Sequence, residues 1–182
     1  ISLPYLTVQN AIQQATSGDT IYVKPGTYQE NIDFLGKWVS IISTEGKDNT
    51  ILQSDGTGTV VNAENGEDSQ VELAGFTIQN AEYGIYMAAN ASPTIRDCYI
   101  TLTNYPALIY PDNDINLINI SLGTNGQPAI LMNGGNIGYS SSSVTRRWNI
   151  SGVLVHILSD INVKSSSSGA LSTLFIEGGA QF

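Results

Sequence analysis

The chain has 182 residues and a formal net charge of −9, with seven Lys and Arg against sixteen Asp and Glu. So few cations on so anionic a chain exclude a nucleic-acid partner and an anionic membrane surface, both of which are read by clustered Lys and Arg. The length suits one domain, 1–182, and no apolar run is long enough to insert into a membrane.

Taken in order, residues 6–15 carry the one helical pattern: Val8, Ala11, Ile12 and Ala15 share a face, and Thr7 can cap the start. Residues 1–19 therefore read as an amphipathic helical cap. Gly18-Asp19 ends it, Thr20-Ile21-Tyr22-Val23 opens the first strand, and Pro25-Gly26 turns the chain. Short apolar bursts at 31–34, 39–42, 50–52 and 60–62 make 20–70 a set of irregular coils.

From Val71 the sequence repeats. The run Val71 to Ile78 returns as Pro93 to Ile100 and again as Ile115 to Leu122, which makes a 22-residue repeat, and a fourth copy is expected to open at Ile137. A second burst follows in each copy, at Ile85-Tyr86-Met87, Ala107-Leu108-Ile109 and Ala129-Ile130-Leu131. Alternation at period two and many β-branched residues mark strands, and a repeat of this length marks a solenoid whose units stack to make a core. The expectation is an all-β parallel β-helix of roughly six to seven coils, with neighbouring coils one strand spacing apart. Gly75, Asp97, Asn119 and Ser141 fall at one position of the repeat, where a left-handed bend is expected to stack them in a corner. Phe76, Cys98 and Ile120 should form an internal column, which makes Cys98 a buried small hydrophobe rather than a reactive thiol. Residues 71–136 read as three gapless coils and 137–182 as irregular coils, expected to continue in a longer protein.

Three stretches carry a resemblance. Val8-Gln9-Asn10-Ala11-Ile12 with Gly18-Asp19-Thr20-Ile21-Tyr22-Val23-Lys24-Pro25-Gly26-Thr27-Tyr28-Gln29-Glu30, then Gly36-Lys37 with Val39-Ser40-Ile41-Ile42-Ser43, then Leu73-Ala74-Gly75-Phe76-Thr77-Ile78-Gln79-Asn80, are similar to the cap and coils of right-handed parallel β-helix proteins of the pectin-lyase-like superfamily. The resemblance implies a right-handed helix and an extracellular or cell-surface setting. Its motifs belong to the scaffold and imply no particular activity.

The chemistry-bearing residues are few. The Asn-Thr-Asp, Gly-His-Gly and Arg-Ile-Lys strings of polygalacturonase-like members are absent. Pectate-lyase-like members use an Arg or Lys beside a carboxylate-held calcium, and the best acidic cluster here is Asp112-Asn113-Asp114, a solvated turn or a calcium site. Glu64, Glu67 and Asp68 form a weaker one. Arg96 beside Asp97 is either a lyase base or a partner of the corner. His156, the only histidine, has no motif around it. Arg146, Arg147 and Trp148, with Tyr99 elsewhere, could stack on and hold a carbohydrate; the alternative for Trp148 is packing over the coil edge.

No cofactor is implied beyond the calcium that the acidic turn could take. The expected function is a non-catalytic extracellular or cell-surface module, structural, self-assembling and open to carbohydrate. The alternative is a polysaccharide lyase or glycoside hydrolase acting on an acidic glycan through Tyr99, Arg96 and the Asp112/Asp114 turn. The strands opening near Gly84 are apolar on both faces, so Tyr86, Leu108, Tyr110, Ile130, Met132 and Leu154 are expected to form an outer patch that contacts copies of the protein or a neighbouring domain.

Overall fold

A computed structural model describes residues 4–138, 142–166 and 168–177. Every strand pair is parallel, and the chain winds through about six turns of an all-β right-handed β-helix. A first sheet stacks Thr20–Val23, Ser40–Ser43, Glu72–Ala74, Thr94–Arg96, Ile115–Ile118, Val144–Ile150 and Ser172–Glu177 in that order. A second sheet is built on two 11-residue strands, Thr77–Met87 and Tyr99–Ile109. A third pairs Gly135–Ile137 with Ile161–Val163.

The repeat dictates the stacking. Glu72 pairs with Thr94 and Thr94 with Asn116, while Thr77 pairs with Tyr99 and Tyr99 with Ser121, so each step advances by one repeat. Strand alternation then turns Leu73, Ile95 and Leu117 into the core and leaves Glu72, Thr94 and Asn116 outside. Phe76, Cys98 and Ile120 are all buried, as their common position requires.

The corner is left-handed: φ is 81° at Gly75, 55° at Asp97 and 53° at Asn119. That conformation costs most side chains roughly 1–2 kcal/mol, whereas Gly, Asn and Asp enter it routinely. The Asn119 amide donates to Asp97 Oδ1 at 2.7 Å and ties one coil to the next. Ser141 lies outside the described residues. A second left-handed corner, which no sequence pattern announced, stacks Asn80 (φ 58°) and Leu102 (φ 53°), again one repeat apart.

The cap is the helix Val8–Gln14, with Val8, Ala11 and Ile12 buried and the Thr7 hydroxyl accepting from Asn10 N. Side chains of the first coil clamp both ends. The Glu30 carboxylate accepts from Val8 N and Gln9 N, each at 2.8 Å, and Lys37 Nζ donates to the carbonyls of Ile12, Gln13 and Ala15. Each charge has the sign that the helix dipole favours at that end.

Two expectations of register fail. Leu108 pairs with Leu131 and Ile109 with Met132, one residue later than the repeat demands. The extra residue is absorbed where Asn125 substitutes for strand backbone. Its Oδ1 accepts from Thr103 N and Thr103 Oγ1, and its Nδ2 donates to the Ile100 carbonyl. One residue of slip exchanges the two faces of a strand, so Ile130 and Met132, expected outside, are fully buried. Nor does Ile137 open a fourth copy. Ile115 pairs with Trp148, one and a half repeats further along the chain, and Ile137 goes to the small third sheet instead.

Candidate functional site

The strand Val144–Ile150 brings most of the expected site residues together, and it spends them on structure. Trp148 is 2% exposed, in register with Ile115, and its Nε1 donates to the Pro111 carbonyl at 3.1 Å. It is a core residue and has no face for a sugar. Arg146 Nε donates to the Asp112 carbonyl at 2.7 Å and to Asp112 Oδ1 at 3.1 Å. Asp112 Oδ1 also accepts from Gly138 N, while Asp114 Oδ1 accepts from Arg147 N at 2.7 Å. Arg147 pairs with Glu177 at 2.8 Å and lies 4.5 Å over the Phe175 ring. The acidic turn is therefore a clamp on the following strand. Among the described residues, no group of three or more His, Cys, Asp and Glu side chains is placed to hold a metal ion.

The other candidates are also engaged. The Arg96 guanidinium lies between Glu72 and Asp97, 2.7 Å from Asp97 Oδ2. The amide of Asn119 and then Arg96 hold the Asp97 carboxyl below the usual carboxylate value. Glu67 is buried, and its two oxygens accept from Gly36 N and Asn65 N. Burial pushes the Cys98 thiol up to about 11, which leaves it protonated and unreactive at neutral pH. His156 is exposed on the outer face, paired with Leu131. Tyr99 is half-buried, and its hydroxyl lies where a Cβ at Gly123 would go, so only glycine lets the phenol lie along the coil.

What the second sheet gathers is a set of tyrosines. Tyr83 pairs with Tyr105, and their rings stack at 4.9 Å with an interplanar angle of 20°. Tyr86 meets Tyr110 edge to face at 6.3 Å. The hydroxyl bond with Tyr110, with help from burial, pushes Tyr86 up to about 12, and burial raises Tyr83. All four rings are half-buried and stay neutral at physiological pH. The outward row through this face runs Asn62, Tyr86, Leu108, Leu131 and His156. It is apolar only in its middle three members, of which Leu131 is already buried, and Leu154 is exposed outside the row. The Tyr83/Tyr105 pair was not among the expected site residues, although the two tyrosines stand at one position of the repeat. Chemically the face offers phenol rings for stacking and hydroxyls for hydrogen bonds, with the carboxylates of Glu64 and Glu82 nearby.

Comparison with protein-family models, with curated proteins and with solved structures finds no match.

Proposed function

We propose that this chain is a non-catalytic module of an extracellular or cell-surface β-helix protein, a rigid scaffold whose tyrosine face binds neutral polysaccharide. The observation that carries the reading is the presence of two tyrosine pairs on one outer face. Half-exposed phenols present apolar ring surface to the C–H face of a sugar and hydroxyls to its edge, at little cost in side-chain entropy. A net charge of −9 repels an acidic glycan, and four of the seven cations (Lys37, Arg96, Arg146 and Arg147) are committed to internal partners. The extracellular setting and the pectin-lyase-like relationship rest on the scaffold motifs between Val8 and Asn80.

The lyase or hydrolase reading is less favoured because its proposed groups, Arg96, Asp112 and Asp114, are held by ion pairs and backbone N–H groups. Native electrophoresis through gels containing neutral glucans, mannans or polygalacturonate distinguishes the two. Retardation by a neutral polymer is expected, weakened roughly 2- to 10-fold by Tyr83→Ala or Tyr105→Ala. Turnover of a uronate polymer that is lost on Asp112→Ala would replace this reading with the enzymatic one.

A further inference from the structure

Large exposed apolar side chains are distributed unevenly along the solenoid. Among the described residues twelve are exposed; five lie at 5–38, six at 154–176, and Leu102 alone lies between. The long outer faces are thus largely closed to apolar contact, whereas both ends are open to it.

The two ends are also the two edges of one sheet. Among the described residues Thr20–Val23 pairs only with Ser40–Ser43, and Ser172–Glu177 only with Val144–Ile150. Ser40 N donates to the Asp19 carbonyl and Thr44 N to that of Val23, so in a parallel ladder Ile21 and Val23 serve this neighbour. The N–H and C=O groups of Thr20 and Tyr22 face the other way. Along that edge, between the cap helix and the first strand, runs a groove of about 660 Å³ whose lining includes Leu6, Val8, Ala11, Ile21, Tyr22 and Tyr28. Unpaired backbone groups beside an apolar groove select an extended polypeptide.

We propose that the chain assembles head to tail, with Ser172–Glu177 of one copy entering the groove of the next and adding a parallel strand to Thr20–Val23. A single register matches the two strands at every position. Thr173 falls opposite Thr20 and Phe175 opposite Tyr22 on the outer face, and Leu174 falls opposite Ile21 and Ile176 opposite Val23 on the inner face. The next position sets Glu177 against Lys24, so charge is complementary where the apolar match ends. Phe175 and Tyr22 are 43% and 68% exposed, and Ile176, which faces inward opposite the buried Trp148 in its own coil, is 52% exposed for want of a covering coil. The contact joins two different surfaces and generates an open filament rather than a closed dimer. It is independent of what the tyrosine face binds.

Sedimentation velocity with light scattering on the full chain tests it. The expected result is a mass that climbs past the dimer with concentration. Tyr22→Glu and Phe175→Glu should each raise the concentration needed by at least about tenfold, with circular dichroism and the melting temperature unchanged because both side chains are exposed. An equimolar mixture of the two variants should stop at the dimer, since each retains one working end. Lys24→Glu should weaken assembly, and adding Glu177→Lys to it should restore it. A monomer at every concentration overturns the proposal. So does assembly indifferent to both end variants, or assembly abolished by Leu108→Glu, which would place the contact on the outer sheet.

Discussion

Residues 71–122 and residues 123–150 cover the same kind of path, yet the first does so on a strict beat and the second does not. In the first, Leu73, Ile95 and Leu117 follow one another at equal steps. In the second, Met132 comes one residue late beside Ile109, and Trp148 stands one and a half repeats on from its partner Ile115. Both nevertheless keep the inner column apolar and the corners polar. What is preserved along the helix is therefore the inward and outward assignment at each ladder position, and coil length is free wherever side chains can close the gap. Asn125 closes one gap with its amide; Arg146 and Asp112 close another.

On this account the irregular coil is packed as tightly as the regular ones. Trp148→Ala and Phe76→Ala should then cost similar amounts, about 3–5 kcal/mol each, as buried aromatic truncations that leave a cavity. Ile120→Ala, in the same column as Phe76, should cost about 2–5 kcal/mol. Urea denaturation reads all three. A Trp148→Ala loss under about 1 kcal/mol would mean that the long coil hangs loosely from the solenoid, and the two regions would not be equivalent.

The sequence made the regular region legible because repetition and alternation reinforce each other there. The parallel coils, the Gly75/Asp97/Asn119 corner and the Phe76/Cys98/Ile120 column all stand where that pattern puts them. It misled where it was extended. Ala129-Ile130-Leu131 matches Ala107-Leu108-Ile109 letter for letter in apolar character, and a run apolar on both faces cannot report a slip of one residue. Trp148, Arg146 and Arg147 looked like a binding loop because an ion pair with Asp112, 34 positions away, leaves no local trace. The second corner was hidden because Leu102 is a poor residue for a left-handed bend.

The corners sharpen the comparison at smaller scale. Asn119→Ala places an unfavourable residue at φ 53° and should cost roughly 1–2 kcal/mol, most of which Asn119→Gly should spare. Leu102 already bears that penalty at an exposed site. Leu102→Asn should therefore stabilise the protein by about 1 kcal/mol, read as an increase in the urea midpoint. No gain at 102 together with a full loss at 119 would show that the ladder bond from Asn119 to Asp97 matters more than the backbone conformation.

The charge on that ladder gives the smallest effect and separates it from geometry. Asp97 is held below the ordinary carboxylate value first by the Asn119 amide and then by Arg96, against a burial cost. A carboxyl depressed in the folded state lends stability that is complete above its unfolded value, about 3.9, and is lost as pH falls through the lower folded value. Asp97→Asn keeps a side chain that tolerates the left-handed bend but removes the titration. Near neutral pH the variant should melt below the parent protein, and the gap should close as pH falls from about 5 toward 2, where the parent's carboxyl is protonated. Melting curves across that range decide the point. A gap that stays constant with pH would assign Asp97 a steric role at the corner and leave Arg96 to Glu72 alone.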